Sequence, residues 1–334
     1  MTVLASLSVP RVPVGEVFAG IVDWLTTNVG SVFDAFGGLV GATVSALATF
    51  LATPIIIVLA LVFGLLGFFL RGWKIAVAAT VIAGGLGYLA AIAGVPPAVV
   101  LALTFGVIGF ALRGWKFGLF AVVAFGLIDS MGQWKPAMES LALVLVASAI
   151  TVVLAVPIGI AAGRSDAVSR AVKPVLDFMQ TMPAFVYLIP AISLFSVGVV
   201  PGVVATVVFS MAPGVRLTEL GIRQVDREVV EAGEAFGAPP MKILGRIQIP
   251  LALPTIMAGV NQIIMLALSM VVIAGMVGAG GLGSSVYTAI STVDVAGGFE
   301  AGLAVVVLAV YLDRLTASLT NRSAVVRAAA ASDR

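Results

Sequence analysis

The 334-residue chain contains no cysteine and no histidine. Disulfides, thiolate metal sites, Cys or His nucleophile–base pairs and imidazole proton relays are excluded with them. No Gly-Lys dipeptide occurs, so the chain lacks a G-x-x-x-x-G-K-[ST] phosphate loop and has no such means of hydrolysing ATP alone. Charge is scarce too, at 10% of residues against roughly 25% in soluble globular chains. The net charge of +2 creates no global field for nucleic acid. The first residues, Met-Thr-Val-Leu-Ala-Ser-Leu, lack a basic segment, and no cleaved signal peptide is expected.

What the chain has in excess is apolar surface. Residues of the AVILMFWYC class make up 61%, and the mean hydropathy is +1.19. So few charges cannot clothe a 34 kDa globule in a polar shell. The composition is that of an integral membrane protein. Its charge-free intervals suit helices of about 20 residues. Lys74 to Arg113 encloses 38 uncharged residues, Glu139 to Arg164 encloses 24, Asp177 to Arg216 another 38 and Arg246 to Asp294 encloses 47. About nine spans are expected, near 54–70, 75–93, 98–112, 117–132, 138–162, 184–199, 202–215, 252–276 and 297–315. With the 216–246 loop cytoplasmic, 16 of the 18 basic residues fall inside, and only Arg11 and Lys135 outside. The fold class is an all-α polytopic bundle.

Four regions follow. Residues 1–53 read as an extracytoplasmic or interfacial segment. Val17, Ile21, Trp24 and Leu25 share one amphipathic face there, and 35–53 lies on the surface, with a tenth span as the alternative. Residues 54–135 form duplicated scaffold hairpins. The stretch from Phe63 to Lys74 recurs 42 residues later from Phe105 to Lys116, with nine of twelve positions identical. Each copy is a helix ending in a basic, Trp-anchored turn, Arg71-Gly72-Trp73-Lys74 and Arg113-Gly114-Trp115-Lys116. Residues 136–320 form the rest of the bundle, with a long cytoplasmic loop at 216–250, and 321–334 a cytoplasmic tail.

The 216–250 loop is the most patterned stretch. Asp226 caps a helix with Glu228 in its first turn, suiting the positive end of the dipole. Val229, Gly233 and Phe236 recur at i, i+4 and i+7 as an apolar stripe. Gly237-Ala238-Pro239-Pro240 stops that helix, with Gly237 as its left-handed terminator, and Pro240 opens a second one. Ile243, Leu244 and Ile247 then share a face until Pro250. Two short amphipathic helices at an angle make a knob fit for a partner's groove.

The segment Glu231-Ala232-Gly233-x3-Gly237-x9-Ile247-Gln248-Ile249-Pro250 resembles the E-A-A-x3-G-x9-I-x-L-P signature of ATP-binding-cassette (ABC) importer permeases. Gly233 stands where the signature has its second alanine, and Ile249 where it has leucine. The stretches 176–190, 254–262 and 266–274 resemble the glycine betaine/proline betaine permeases, as does 22–28. The duplicated hairpin departs from that family's single upstream pair.

The resemblance implies a type I importer permease of the bacterial inner membrane, crossing it several times and catalysing no covalent chemistry. It implies a second copy of the chain, two ABC ATPase subunits that bind ATP and magnesium, and an extracytoplasmic substrate-binding protein. No cofactor is expected on this chain. The substrate class implied is glycine betaine, proline betaine or a related compatible solute. Choline, carnitine or an amino acid are the alternatives, as is an ion-coupled secondary transporter, for which mid-span acids are nearly absent. Glu231, Ala232, Gly233, Gly237, Ile247 and Pro250 are the coupling residues on this reading. Phe185, Tyr187, Phe209, Asn261, Met265, Ser269 and Met270 are candidates for the pathway, since π faces and thioethers suit a quaternary ammonium group. Packing, and for Asn261 and Ser269 interhelical hydrogen bonding, is the commoner role of such residues. Gly278-Ala279-Gly280-Gly281-Leu282-Gly283 matches G-x-G-x-x-G, but no strand precedes it, and it reads as a flexible extracytoplasmic turn.

Overall fold

The computed structural model describes residues 13–53 and 96–320, and every regular element among them is helical. The spans expected at 54–70 and 75–93, and the tail at 321–334, lie outside the described residues. Helix α1 (Val14–Ala52) is one unbroken helix of 39 residues, with no boundary near residue 35. Glycine, serine and threonine lower helix propensity there, but tertiary contacts hold the segment helical. Val40, Val44 and Leu51 are buried, and the Phe33 and Phe36 rings meet Phe195 at 5.6 and 6.0 Å.

Helices α2 (Pro97–Arg113) and α3 (Trp115–Ser130) form a tight antiparallel hairpin. Pro97 sits in the first turn of α2, where its missing N–H costs nothing, and Gly114 at φ +94° makes the reversal. The hairpin docks on the last helix through an aromatic cluster. Phe105 stacks on Phe125 at 4.4 Å, Phe125 meets Tyr311 edge-on at 5.0 Å, and the Tyr311 hydroxyl donates to the Phe105 carbonyl at 3.2 Å. Such pairs add about 0.5–1.5 kcal/mol each beyond area burial.

Helix α4 (Trp134–Arg164) ends at Ser165, whose hydroxyl accepts from the Val168 N–H and opens amphipathic α5 (Asp166–Thr181). Pro183 then breaks the path. A 3₁₀ turn (Ala184–Tyr187) and the eight-residue α6 (Leu188–Phe195) follow at 108° to α5. The span expected at 184–199 is therefore a short apolar helix that needs α5 to reach membrane length. Helix α7 (Val199–Arg223) leads to the loop, which carries α8 (Arg227–Ala235) and α9 (Pro240–Ile243). One π-helical turn (Leu244–Gln248) joins α9 to α10 (Ile249–Met276), and α11 (Gly281–Thr292) and α12 (Val295–Thr320) complete the described chain. Among the described residues five helices are long and apolar enough to cross a membrane, or six if bent α5–α6 is one span. Helices α2 and α3 are shorter, at 17 and 16 residues.

The core is the α4–α7–α10 packing, where small side chains let backbones approach. The Thr151 and Ser210 hydroxyls meet there at 3.2 Å, and each also donates to the carbonyl one turn back. The glycine run at 278–283 is not a free turn. It starts α11 against α10, with no room for a Cβ at Gly283, which would lie 2.0 Å from the Val271 carbonyl oxygen. The Gly281 N–H donates to Glu139 at 3.0 Å and the Leu282 N–H to the Ser140 hydroxyl at 2.8 Å. Its glycines serve packing, and Glu139 supplies the negative charge that a helix N-terminus favours.

Candidate functional site

The knob is built as a helix stop followed by a helix start. Asp226 accepts from the Glu228 N–H at 3.0 Å, satisfying one orphan donor of α8. At the other end the Gly237 N–H donates to the Glu234 carbonyl at 2.8 Å, and the Ala238 N–H to the Gly233 carbonyl at 3.1 Å. Those two bonds define a Schellman ending, with Gly237 at φ +71° as its left-handed residue. Pro239 and Pro240 then set the start of α9.

Gly233 faces the second arm. A Cβ placed on it would lie 2.9 Å from Ile247 Cδ1 and 3.5 Å from Ile243 Cγ1. Phe236 instead points into solvent, 90% exposed, and Val229 is exposed as well, so 229, 233 and 236 do not act as one buried stripe. Ile243 and Leu244 are buried, and Leu244 packs with Ile222, Ala252 and Ile256 at the root of the knob. Glu231 and Ala232 are exposed. Glu231 and Glu234 line a cavity with Arg223, Arg227 and Gln248.

Pro250 does not end the second arm. From Pro240 to Met276 the helix is continuous. The Ile249 N–H reaches back five residues to the Leu244 carbonyl, the longer ring of a π turn. Pro250 follows directly, so its missing donor falls where the hydrogen-bond ladder has already shifted. The second arm of the knob is thus the end of core helix α10, and α8 is the separate arm that packs against it.

Arg223 anchors the end of α7 beside it. Its guanidinium donates to Asp166 at 2.8 Å, Glu219 at 2.9 Å and the Ala162 carbonyl at 2.9 Å. Glu219 also accepts from the Ser169 hydroxyl at 2.7 Å, and Arg216 pairs with Asp177. These ties join α4, α5 and α7 at the end of the bundle that carries the knob. Sequence reasoning missed Arg223 because its partners are 57 and 61 residues away, and only the i−4 spacing of Glu219 was a local signal.

The pathway candidates are only partly gathered. Tyr187, Phe209 and Met270 share one cluster with Leu188 and Ala205, and the Tyr187 hydroxyl donates to the Met179 carbonyl. Phe185 is exposed, and Met265 packs against the main core. Asn261 turns to α12, where its amide donates to Asp313 at 3.1 Å and its oxygen accepts from Thr316. Ser269 is exposed and donates to the Met265 carbonyl at 3.1 Å. Eight helical positions rotate by about 80°, which separates Asn261 and Ser269. At the opposite end of α4, a polar cavity of about 510 Å³ lies among Lys135, Glu139, Ser284, Ser285 and Asp294.

Residues 155–325 match the family model described as "Binding-protein-dependent transport system inner membrane component". The glycine betaine transport system permease protein OpuAB of Bacillus subtilis is 42% identical over 310 residues, covering 93% of this chain and 95% of that protein. The glycine betaine/carnitine transport permease protein GbuB of Listeria monocytogenes is 54% identical over 197 residues, 59% of this chain and 70% of that one. The glycine betaine/proline betaine transport system permease protein ProW of Escherichia coli is 50% identical over 196 residues, covering 59% of this chain and 55% of that one.

Proposed function

Because the chain belongs to the binding-protein-dependent transport system inner membrane components, we propose that it is the permease subunit of an ATP-driven importer for glycine betaine/proline betaine-type solutes. Two copies span the membrane. Two separate ABC ATPase subunits hold ATP and magnesium, and an extracytoplasmic binding protein delivers the solute over the polar outer cavity beside Lys135 and Glu139. The permease itself makes and breaks no covalent bond.

The observation that carries the reading is the continuity of Pro240–Met276. ATP-driven closure of the ATPases displaces the Glu231–Pro250 knob, and the second arm of that knob is the end of a core helix. A push at Ile243 and Leu244 acts on α10 directly and, through Asn261, on α12. The substrate class rests on the relatives, whose names specify glycine betaine. The Tyr187, Phe209 and Met270 cluster supports it through its chemistry, since a methylated ammonium has no donors to satisfy and favours polarisable walls.

The test is uptake of radiolabelled glycine betaine under hyperosmotic stress, in a strain lacking other betaine carriers and supplied with the cognate ATPase and binding protein. Accumulation that depends on both partners is expected. Uptake of a sugar or inorganic anion in place of betaine would refute the substrate class. Uptake without any ATPase would refute the coupling.

A further inference from the structure

The repeated basic turn takes no part in coupling or in the pathway, yet its described copy borders a cavity. Arg113, Lys116 and Arg314 surround about 450 Å³ together with Phe117, Phe120 and Val310. Gly114 at φ +94° reverses the chain between α2 and α3, and Arg113 and Lys116 on either side of it line the same cavity. The Lys116 ammonium lies 6.0 Å from the Trp115 ring centre, and that ring is 63% exposed.

The charges are poorly compensated. Among the described residues neither Arg113 nor Lys116 has an acidic partner within salt-bridge distance, and residues 54–95 contain no Asp or Glu that could provide one. Arg314 has Asp313 at 3.9 Å, but that carboxylate already accepts from Asn261. Among the described residues, three cations and one shared acid leave a net charge of +2 around the cavity. The other described residues that line it are two phenylalanines and a valine. The positive-inside assignment puts this end of α2, α3 and α12 at the cytoplasmic membrane boundary.

We propose that this cavity binds the headgroup of an anionic phospholipid of the cytoplasmic leaflet, the Arg113, Lys116 and Arg314 cations taking the phosphate and the Phe117–Phe120 wall lying along an acyl chain. A phosphate diester and its glycerol match a compact cation cluster. The apolar wall and the exposed indole beside it favour a lipid over a soluble anion. The proposal is independent of which solute is imported.

The test places the full chain in nanodiscs of equal phosphatidylglycerol and phosphatidylcholine and counts retained lipids by native mass spectrometry. Each cation near an anionic surface is worth about fivefold in affinity, so two net charges predict a preference of about twenty-five-fold for phosphatidylglycerol. The double variant Arg113→Gln/Lys116→Gln should lose one retained phosphatidylglycerol per chain, whereas Lys135→Gln at the outer face should keep it. Both altered residues are exposed, so insertion should be unaffected, and Lys116→Arg should retain the lipid. Equal retention of the two lipids by the unaltered chain overturns the proposal. An unchanged count in the double variant does the same. Displacement by glycerophosphoglycerol, which has no acyl chains, as efficient as by the lipid would make this a site for a soluble phosphate.

Discussion

Gly237 offers a clean test of the knob, because a side chain there meets nothing. No heavy atom lies within 4 Å of a Cβ built on it, so any substitution acts through the backbone alone. At φ +71° an alanine costs about 1–2 kcal/mol, and a valine, with its branched Cβ, about 2–3 kcal/mol. Asparagine tolerates the left-handed region and should cost least. The strain is relieved only by giving up the bonds from the Gly237 and Ala238 N–H groups, which re-aims α8 against α9. If transport follows the fraction of knobs with the native bend, alanine lowers uptake by about tenfold and valine by about thirtyfold to a hundredfold. The assay is ATP-dependent uptake in proteoliposomes, with chain insertion checked by quantitative blotting. The ranking Asn, Ala, Val is the signature of backbone strain. Wild-type uptake by Gly237→Val, or equal loss in all three, would remove the left-handed bend from the coupling mechanism.

Two further outcomes follow from the same geometry. On the proposed docking of the knob to an ATPase, Phe236, 90% exposed just after α8, is the side chain free to enter the partner's groove; Phe236→Ala should then lower ATPase co-purification at least tenfold without changing chain abundance, and unchanged recovery would contradict that role. Gly283→Ala drives a Cβ to 2.0 Å from the Val271 carbonyl, so α10 and α11 must separate; heating the purified chain should show a loss of at least about 2 kcal/mol, and an unchanged unfolding temperature would refute the close contact.

What the sequence made legible was set by local rules. Gly237, Asp226 and Pro240 are read from neighbours within four residues, and the structure puts each in the role that its chemistry requires. The membrane-spanning character of α4, α7, α10 and α12 was equally plain from hydropathy. What local rules could not show was continuity. Pro250 resembles a helix terminator, but a π turn just before it carries the helix through. The 35–53 stretch resembles a surface segment by composition, while Val40, Val44 and Leu51 are buried by packing that no periodicity announces. Asn261 and Ser269 looked like one polar face, until the Asp313 and Thr316 partners on α12 fixed where Asn261 turns. The glycine run resembled a mobile loop because a sequence cannot reveal that Glu139 and Ser140, 142 residues away, cap the helix it starts.

The π turn bears on how force would pass along α10. A turn with i to i−5 bonding is wider than its neighbours and less favourable, and it survives where something offsets its cost. Here the offset is burial: Leu244 and Ile249 lie against Ile222, Val225, Ala252 and Ile256, so the turn is clasped by the ends of α7 and α10. Restoring α-helical bonding across 244–248 would rotate everything on the knob side by about 100° for each residue of register. Gly233 would then lose its contact with Ile247, and Phe236 would point elsewhere. The π turn thus sets the angular position of the knob relative to the core, and on the proposed coupling the unbroken backbone would carry the axial displacement. Deleting Gly245, an exposed residue within the turn, should convert it to regular helix. Such a chain should still insert and dimerise, yet lose ATP-driven uptake, because its knob would face away from the groove it must fill. Retained uptake in the deletion variant would show that the knob's angle is not set here, and the coupling would then have to run through α7 and Arg223.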